Sequence, residues 1–281
     1  MNALQLFLRF VRRLPDYYLA TKHLYMRSEL GLPVNVCIFD DKRFFYTPDS
    51  LNVHDLWVHQ CTSYYTRGEV REWLRFSEGC RSLLDAGASA GFFSAVFNRT
   101  TEGAGSILSV EPDKRSFALL QETIRLNNGI NNWRSANCAL SGTVGELEFS
   151  PSDFGGGLGS AGNSRQNIYR GPGAAAASAL AELVRVETLD SLCESHQFVP
   201  DLIKMDIESY EFETLTAAKG FLSKLRPKIF LELHNEMIRA RGLRPETIVE
   251  ALHDVGYRCM GGSNPAALCA PPTAHLCIVP S

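Results

Sequence analysis

The sequence predicts an α/β protein, a doubly wound parallel sheet with helices on both faces. Three observations lead there. From Ser82 onward, short apolar runs of strand character alternate with segments of helical periodicity, the pattern of successive βαβ units. The first run, Ser82–Asp85, passes through a small-residue turn, Ala86-Gly87-Ala88-Ser89-Ala90-Gly91, straight into a helix-like segment opened by Phe92. At such a first βα turn, backbone N–H groups and a helix N-terminus face a ligand. Charged residues then close two later runs, at Lys204, Asp206 and Glu208 and at Glu232 and His234, where strands covered on both faces are otherwise near-continuously apolar.

The bulk numbers permit this fold and exclude several others. The 281 residues make one large domain, or one domain with an appendage, and a 45% hydrophobic fraction supplies a sizeable core. A net charge of −3 gives no basic surplus for nucleic acid. The eight cysteines, Cys37, Cys61, Cys80, Cys138, Cys193, Cys259, Cys269 and Cys277, include no C-x-x-C pair. A chain this long does not need a disulfide framework, so a reducing, cytoplasmic setting is expected. No apolar run reaches the ~18 residues of a membrane span.

Residues 1–80 read as a cap on the core, and 81–281 as the core domain. Leu4, Phe7, Leu8 and Val11 fall at helical spacing among Arg9, Arg12 and Arg13. A basic amphipathic helix of this kind can lie on a membrane or a partner, but more often docks on its own domain. Val34–Phe39 and Phe44–Thr47 read as a hairpin joined by Asp40-Asp41-Lys42-Arg43, and residues 55–76, with Tyr64, Tyr65 and Trp73, as helical.

In the core, helices are expected over Phe92–Thr101 and Arg115–Asn127. Strands are expected at Ser106–Val110, Arg134–Ala139 and Gly145–Ser150. Pro151–Ala179, rich in Gly, Ser and Ala, is an insertion: a lid over substrate or a structureless loop. Strands resume at Val184–Leu189, Asp201–Ile207 and Pro227–His234, with helices over Glu211–Ser223 and Pro245–Val255. Gly256 suits a C-cap, and Leu276–Val279 supplies a last strand.

The turn itself selects a ligand class. A pyrophosphate-binding turn would read G-x-G-x-x-G, but Ser89 and Phe92 stand where the second and third glycines belong after Gly87. Asp85 stands just before the turn, where a carboxylate would repel a pyrophosphate and attract an ammonium group. The D-x-G-x-x-x-G spacing of Asp85, Gly87 and Gly91 therefore fits a ligand carrying an amino acid and a nucleoside, as S-adenosylmethionine does. Small-residue turns also occur with no ligand at all.

Glu111 ends the second predicted strand. An acidic residue roughly 20 or more positions after the glycine turn is placed to accept hydrogen bonds from ribose hydroxyls; the plainer reading is an exposed loop carboxylate. Pro112 then helps to end the strand, because it has no ladder donor. Asn137 and Cys138 follow the third strand, where an adenine ring would lie; turn chemistry accounts for an Asn there equally well.

Lys204, Asp206 and Glu208 alternate with Ile203, Met205 and Ile207, so the period of two puts the charges on one side. The ligand crevice of such a sheet lies outside the carboxyl ends of its strands. A buried charge is costly unless paired, so Lys204 is expected to meet a carboxylate. The cluster is read as an active site, with a structural ion-pair network as the alternative.

These blocks together resemble the FkbM-type S-adenosylmethionine-dependent methyltransferases. The segments that carry the resemblance are Leu84-Asp85-Ala86-Gly87-Ala88-Ser89-Ala90-Gly91, Val110-Glu111-Pro112-Asp113, Leu126-Asn127-Asn128, Ala139-Leu140-Ser141, Val186-Glu187-Thr188-Leu189-Asp190, Asp201-Leu202-Ile203-Lys204-Met205-Asp206-Ile207-Glu208 and Leu231-Glu232-Leu233-His234. They extend over roughly Tyr64 to Tyr257. The resemblance implies a Rossmann-like, doubly wound sheet of seven strands, with the methyl donor held by the Asp85–Gly91 turn and Glu111. It also implies methyl transfer, usually to a hydroxyl of a sugar or secondary metabolite. Ser209 stands where the family pattern usually has glycine, and the insertion after Ser150 is long; both lie where acceptor specificity is set.

The expected cofactor is S-adenosylmethionine, bound by Asp85, Gly87, Ala88, Gly91, Glu111, Pro112, Asn137, Cys138 and Asp206. The expected catalytic group is His234, a base near its ordinary pKa of about 6.5, with Asp206, Glu208 and Lys204 around it. A structurally satisfied histidine is the alternative. No ligand spacing in the sequence is diagnostic of a metal, and none is assigned. The expected partner is a small-molecule or glycan acceptor. The rival functions are a nicotinamide-dependent oxidoreductase, which Asp85 and the missing glycines disfavour, and a non-catalytic nucleoside-binding or scaffold protein.

Overall fold

The computed structural model describes residues 22–27, 33–39, 42–46, 69, 72–127, 132–149 and 182–281. The expected helix over 3–13, residues 55–68 with Tyr64 and Tyr65, and the insertion at 151–179 lie outside the described residues. Of the front section, β1 (Lys22–Arg27), β2 (Pro33–Phe39) and β3 (Lys42–Tyr46) form a three-stranded antiparallel sheet. The predicted hairpin is there, with β3 starting two residues earlier than expected and Phe39 opposite Lys42. Strand β1 was not anticipated.

The core is a seven-stranded sheet built from β4 (Ser82–Ala86), β5 (Ser106–Val110), β6 (Trp133–Ala136), β10 (Leu202–Met205), β11 (Lys228–Leu233), β12 (Tyr257–Cys259) and β13 (Ala274–Pro280). Their order across the sheet is β12-β13-β11-β10-β4-β5-β6. Every pairing from β11 to β6 is parallel; β13 runs antiparallel between β11 and β12. From β4 the chain goes to β5 on one side, and β10 closes the other, so the order reverses between β4 and β10. Ligands of open α/β sheets bind at that reversal, beyond the carboxyl ends of the strands.

Alternation along the strands builds two cores. Leu83, Ile107, Leu202 and Phe230 face α1 (Phe92–Thr100), α2 (Lys114–Leu126) and the helical residues 72–76, where Trp73 is fully buried among Phe93, Phe97 and Phe230. Leu84, Leu108, Ile203, Met205 and Leu231 face the other side with α3 (Leu189–Ser195), α4 (Glu211–Ala217), α5 (Lys219–Leu225) and α7 (Glu246–Asp254). The helix ends follow local chemistry. Asp113 caps α2 by accepting the Ser116 N–H at 2.7 Å, and Thr188 with Ser191 forms a reciprocal capping box on α3. After α7, Gly256 takes the left-handed conformation at φ +77°, as expected of a C-cap glycine.

Three sequence expectations are corrected. The third strand is not continuous over Arg134–Ala139: β6 stops at Ala136, and β7 (Ala139–Leu140) joins β8 (Gly145–Phe149) and β9 (Glu182–Glu187) in a separate three-stranded sheet. The Asn137 side chain explains the break, since its Nδ2 donates to the Glu111 and Pro112 carbonyls at 2.8 and 3.0 Å and fixes the chain where it leaves the sheet. Leu189 opens α3 rather than ending a strand. The helix over Glu211–Ser223 is two helices meeting at Ala218, whose burial at 3% exposure keeps the apolar period running across the break. Two further helices, α6 (Asn235–Ala240) and α8 (Pro265–Leu268), follow β11 and β12. Among the described residues, no helix is long and apolar enough to cross a membrane.

Candidate active site

The turn after β4 is tight for a reason that can be measured. Gly87 has φ +75°, and a Cβ there would sit 1.7 Å from the Asp206 carbonyl oxygen at the end of β10. Gly91 has φ +88°, and its Cβ would meet Leu120 at 2.6 Å. Gly87 thus lets the ends of β4 and β10 close on each other at the reversal of strand order, and Gly91 lets α1 begin against α2.

The turn differs in one respect from a simple donor loop. The Gly87 and Ala88 N–H groups both donate to the Val110 carbonyl at 3.0 and 2.9 Å, and Gly91 N–H donates to Ala88. Ser89 N–H donates to Glu111 Oε2 at 2.8 Å. These four N–H groups are engaged within the protein, so the turn offers a ligand close backbone approach rather than free donors. Ser89, at φ +50°, holds a conformation that usually falls to glycine.

Glu111 is 7% exposed, and its other oxygen, Oε1, accepts the Asp113 N–H at 2.9 Å. Burial pushes its pKa up to about 8 against the pull of those two N–H bonds. A protonated carboxyl keeps acceptor lone pairs beyond those two N–H bonds and adds one O–H donor, so it can still bond a pair of hydroxyls. Pro112 follows as the chain leaves β5. Asn137 spends its Nδ2 on the Glu111 and Pro112 carbonyls, and Cys138 is fully buried, with its thiol pushed up to about 11 by that burial.

Asp85 stands opposite Lys204 in the β4–β10 register. At 1% exposure it is no open ligand for an ammonium group: its Oδ2 accepts the Ser94 hydroxyl at 2.5 Å. Burial raises its pKa, and the Lys204 charge opposes the rise. Lys204, 4% exposed, donates from Nζ to the Gly87 carbonyl and to Asp206 Oδ2, both at 3.3 Å, and lies over the Phe93 ring at 5.3 Å. Burial lowers its pKa, but Asp206, Asp85, Glu232 and Glu69 together raise it above the usual lysine range. The predicted meeting of Lys204 with a carboxylate is present.

Glu208 lies past the end of β10, at φ +53°, and Ser209 follows at φ +80°. The period of two therefore holds through Asp206 and fails at Glu208. Two consecutive non-glycine residues in the left-handed region are costly and tend to gather at functional sites. Here Arg241 holds Ser209 by its carbonyl at 2.8 Å and its hydroxyl at 3.2 Å, and the same guanidinium pairs with Glu213. That clamp holds serine in a backbone conformation that ordinarily falls to glycine.

His234 closes the cluster. Its Nδ1 is 3.0 Å from Oε1 of the fully buried Glu211, an oxygen that also accepts the Ile207 N–H. Its Nε2 faces Glu208, Asp206 and Glu232 at 3.6, 3.7 and 3.8 Å. Burial lowers the pKa of the ring, but the Glu211 hydrogen bond and the surrounding carboxylates outweigh it and push it up to about 10. The expectation of a base near its ordinary pKa does not fit this environment, because a ring that already carries a proton on both nitrogens at neutral pH cannot take another. Burial, with Asp206 beside each, pushes Glu208 up to about 7 and Glu232 to about 8.

The structure thus brings Lys204, Asp206, Glu208 and His234 together, with Asp85 behind Lys204. Glu111, Pro112, Asn137 and Cys138 lie along the neighbouring strand ends. Three participants were missed. Glu211 opens α4 three residues after Glu208, and an acidic first turn was the available signal. Glu69 and His275 come from distant parts of the chain and stand 3.9 Å apart. His275 is opposite Glu232 in the β13–β11 register, which only the strand pairing reveals.

A doubly wound sheet with a carboxylate after its second strand and a tight turn at the order reversal defines a nucleoside-binding α/β protein. A model of the methyltransferase FkbM domain matches residues 85–259, and the chain belongs to that family of S-adenosylmethionine-dependent methyltransferases. This sets aside the nicotinamide reading. No curated protein sequence matches the chain. Among solved structures, the chain is similar to TYW2 of M. jannaschii in complex with AdoMet, at 15% identity and a TM-score of 0.42 over 93% of this chain and 90% of that one. TYW2 of P. horikoshii in complex with MeSAdo gives 14% and 0.41 over 88% and 70%. An O-methyltransferase from Bacillus cereus, in complex with SAH, gives 12% and 0.39 over 80% and 88%.

Proposed function

We propose that the protein transfers a methyl group from S-adenosylmethionine to a hydroxyl oxygen of a small-molecule or glycan acceptor. The observation that carries this reading is the convergence of Asp206, Glu208, Glu232 and His234 beyond the strand ends next to the Gly87 turn. Such a group can orient a hydroxyl, and its carboxylates can take the proton.

Glu111 receives the ribose hydroxyls, on the oxygens that already hold Ser89 and Asp113. Gly87, Ala88 and Gly91 admit the amino-acid end by close approach, and Asp206 lies beside it. Pro112, Asn137 and Cys138 border the adenine. Asp85 acts through its neighbours: with Asp206 it keeps Lys204 charged and in place beneath the Gly87 carbonyl. S-adenosylmethionine supplies a sulfonium methyl, and attack by the acceptor oxygen forms a C–O bond as the C–S bond breaks, leaving a neutral thioether. Alignment of the two reactants supplies much of the acceleration. The hydroxyl proton passes to Glu208, whose side chain is one-third exposed at 34% and whose Oε2 makes no hydrogen bond. His234, pinned by Glu211, orients that carboxylate. A cytoplasmic setting accords with the six described cysteines, all of them free thiols.

The test is incubation with S-adenosylmethionine and a panel of hydroxylated metabolites and sugars, read by mass spectrometry. The reading expects a product one methylene heavier, methylated at oxygen, formed by wild type and lost in Glu208→Gln with donor binding kept. Methylation of amines or thiols only, or donor binding with no transfer to any panel member, counts against it.

A further inference from the structure

The cluster that takes the acceptor has a property that proton transfer does not explain. His234 is 8% exposed, and among the described residues its hydrogen bond is made at Nδ1, with Nε2 no nearer than 3.6 Å to a carboxylate. The three carboxylate oxygens it faces stand 3.6–3.8 Å away, too far for hydrogen bonds. Glu208 Oε2, one of those three, is itself buried without a hydrogen-bond partner. The Nε2 of a buried ring and a buried carboxylate oxygen thus face one another at 3.6 Å, beyond hydrogen-bond distance. Atoms coordinating a common ion at about 2.0–2.2 Å each stand apart by such distances, rather than in hydrogen-bond contact.

Two further features belong to a metal centre. One ligand atom each from Asp206, Glu232 and His234 lies within 4.8 Å of the others. The second ring nitrogen of His234 is held at 3.0 Å by the fully buried Glu211, the carboxylate–histidine arrangement that fixes the ring orientation of metal-bound histidines. Lys204 is the nearby fixed cation, and its Nζ lies on the Oδ2 side of Asp206, leaving Oδ1 toward His234.

We propose that Asp206, Glu232 and His234 bind a divalent first-row metal ion, which takes the place of the proton on His234 Nε2 and releases it to solvent, with Glu211 as the positioning residue behind the imidazole. One imidazole with two carboxylates suits Mn²⁺ or Zn²⁺ better than an all-oxygen ion such as Ca²⁺. The set leaves coordination positions open toward Glu208, where an acceptor oxygen can enter. Binding the ion does not depend on the methyl-transfer reading; only its purpose, to hold the acceptor oxygen as Glu208 takes the proton, rests on it.

The test uses the full chain, stripped with chelator and titrated with Mn²⁺, with free Mn²⁺ read by electron paramagnetic resonance. One equivalent is expected to bind. Asp206→Asn and Glu232→Gln should each weaken binding by more than tenfold, and Glu211→Gln by about 10–100-fold through the imidazole; circular dichroism checks that each variant is folded. Glu69→Gln tests the neighbouring trio of Glu69, Glu232 and His275 and should change affinity less than threefold. No saturable binding, binding unchanged in folded Asp206→Asn, or loss confined to Glu69→Gln overturns the proposal. Calorimetry with S-adenosylmethionine on the same samples keeps the two readings apart: Mn²⁺ binding without donor binding sinks the methyl-transfer reading alone, and the reverse sinks the metal site alone.

Discussion

Gly87→Ala tests the closure of β4 on β10 directly, and the structure provides its control. Gly79 and Gly87 have nearly the same φ, +80° and +75°, but a Cβ at Gly79 meets nothing within 4 Å while one at Gly87 lies 1.7 Å from the Asp206 carbonyl oxygen. An alanine in the left-handed region costs about 1–2 kcal/mol at either position. At Gly87 the overlap with backbone adds about 1–3 kcal/mol of overpacking. Separating the strand ends also threatens the Asp206 N–H bond to the Ala86 carbonyl, 3.0 Å, and the Lys204 bond to the Gly87 carbonyl, 3.3 Å, each contributing about 1 kcal/mol. Gly87→Ala should therefore destabilise by about 3–6 kcal/mol and Gly79→Ala by about 1–2 kcal/mol. With a urea slope of about 2 kcal/mol per M, the Gly87→Ala midpoint falls by roughly 1.5–3 M. Equal midpoints for the two variants would refute the reasoning, because only the contact with Asp206 separates them.

Three other outcomes follow from particular contacts. Burial holds Glu111 at about 8, so the folded chain keeps a proton that an unfolded carboxyl, ordinarily at 4.5, has lost. Its stabilising contribution is complete below about pH 4.5 and disappears as pH rises through about 8. Thermal melts in that interval should fall more steeply with pH for wild type than for Glu111→Ala, and parallel curves would contradict the shift. Trp73→Ala removes a fully buried ring from among Phe93, Phe97 and Phe230 and should cost about 3–5 kcal/mol by chemical denaturation; a loss under about 1 kcal/mol means that the 72–76 helix does not hold this face of the sheet. Ser209→Gly relieves φ +80° and should stabilise by up to about 1 kcal/mol, less the lost hydroxyl bond to Arg241 and the freer unfolded chain; destabilisation beyond about 1 kcal/mol would show that the Arg241 clamp outweighs the strain.

The sheet was legible because its strands are short apolar runs with clean ends. Ser106–Val110 was read to the residue, and α1 and α2 to within one at each end. What failed was governed by contacts distant in sequence. The departure of β7 from the main sheet depends on Asn137 reaching back to Glu111 and Pro112, and β12 is a strand because β13 pairs with it. The Thr188–Ser191 capping box was a local signal of α3 that strand-like Val184–Val186 overshadowed. In the site, Lys204, Asp206 and His234 stood out as polar residues at the ends of apolar strands. Their protonation did not, because the pKa of His234 depends on Glu211 and on three carboxylates that only the fold assembles. Asp85 likewise read as an open carboxylate, since nothing local reveals Ser94 and Lys204 beside it.

The measurement closest to the central claim is calorimetric titration of the purified protein with S-adenosylmethionine and S-adenosylhomocysteine, with NAD as control, on wild type and Glu111→Ala. The account predicts micromolar binding of both sulfur ligands to wild type, no response to NAD, and loss of binding in the folded variant. Absence of binding by either sulfur ligand, or binding that survives unchanged in Glu111→Ala, would contradict the placement of the methyl donor against the Gly87 turn and Glu111.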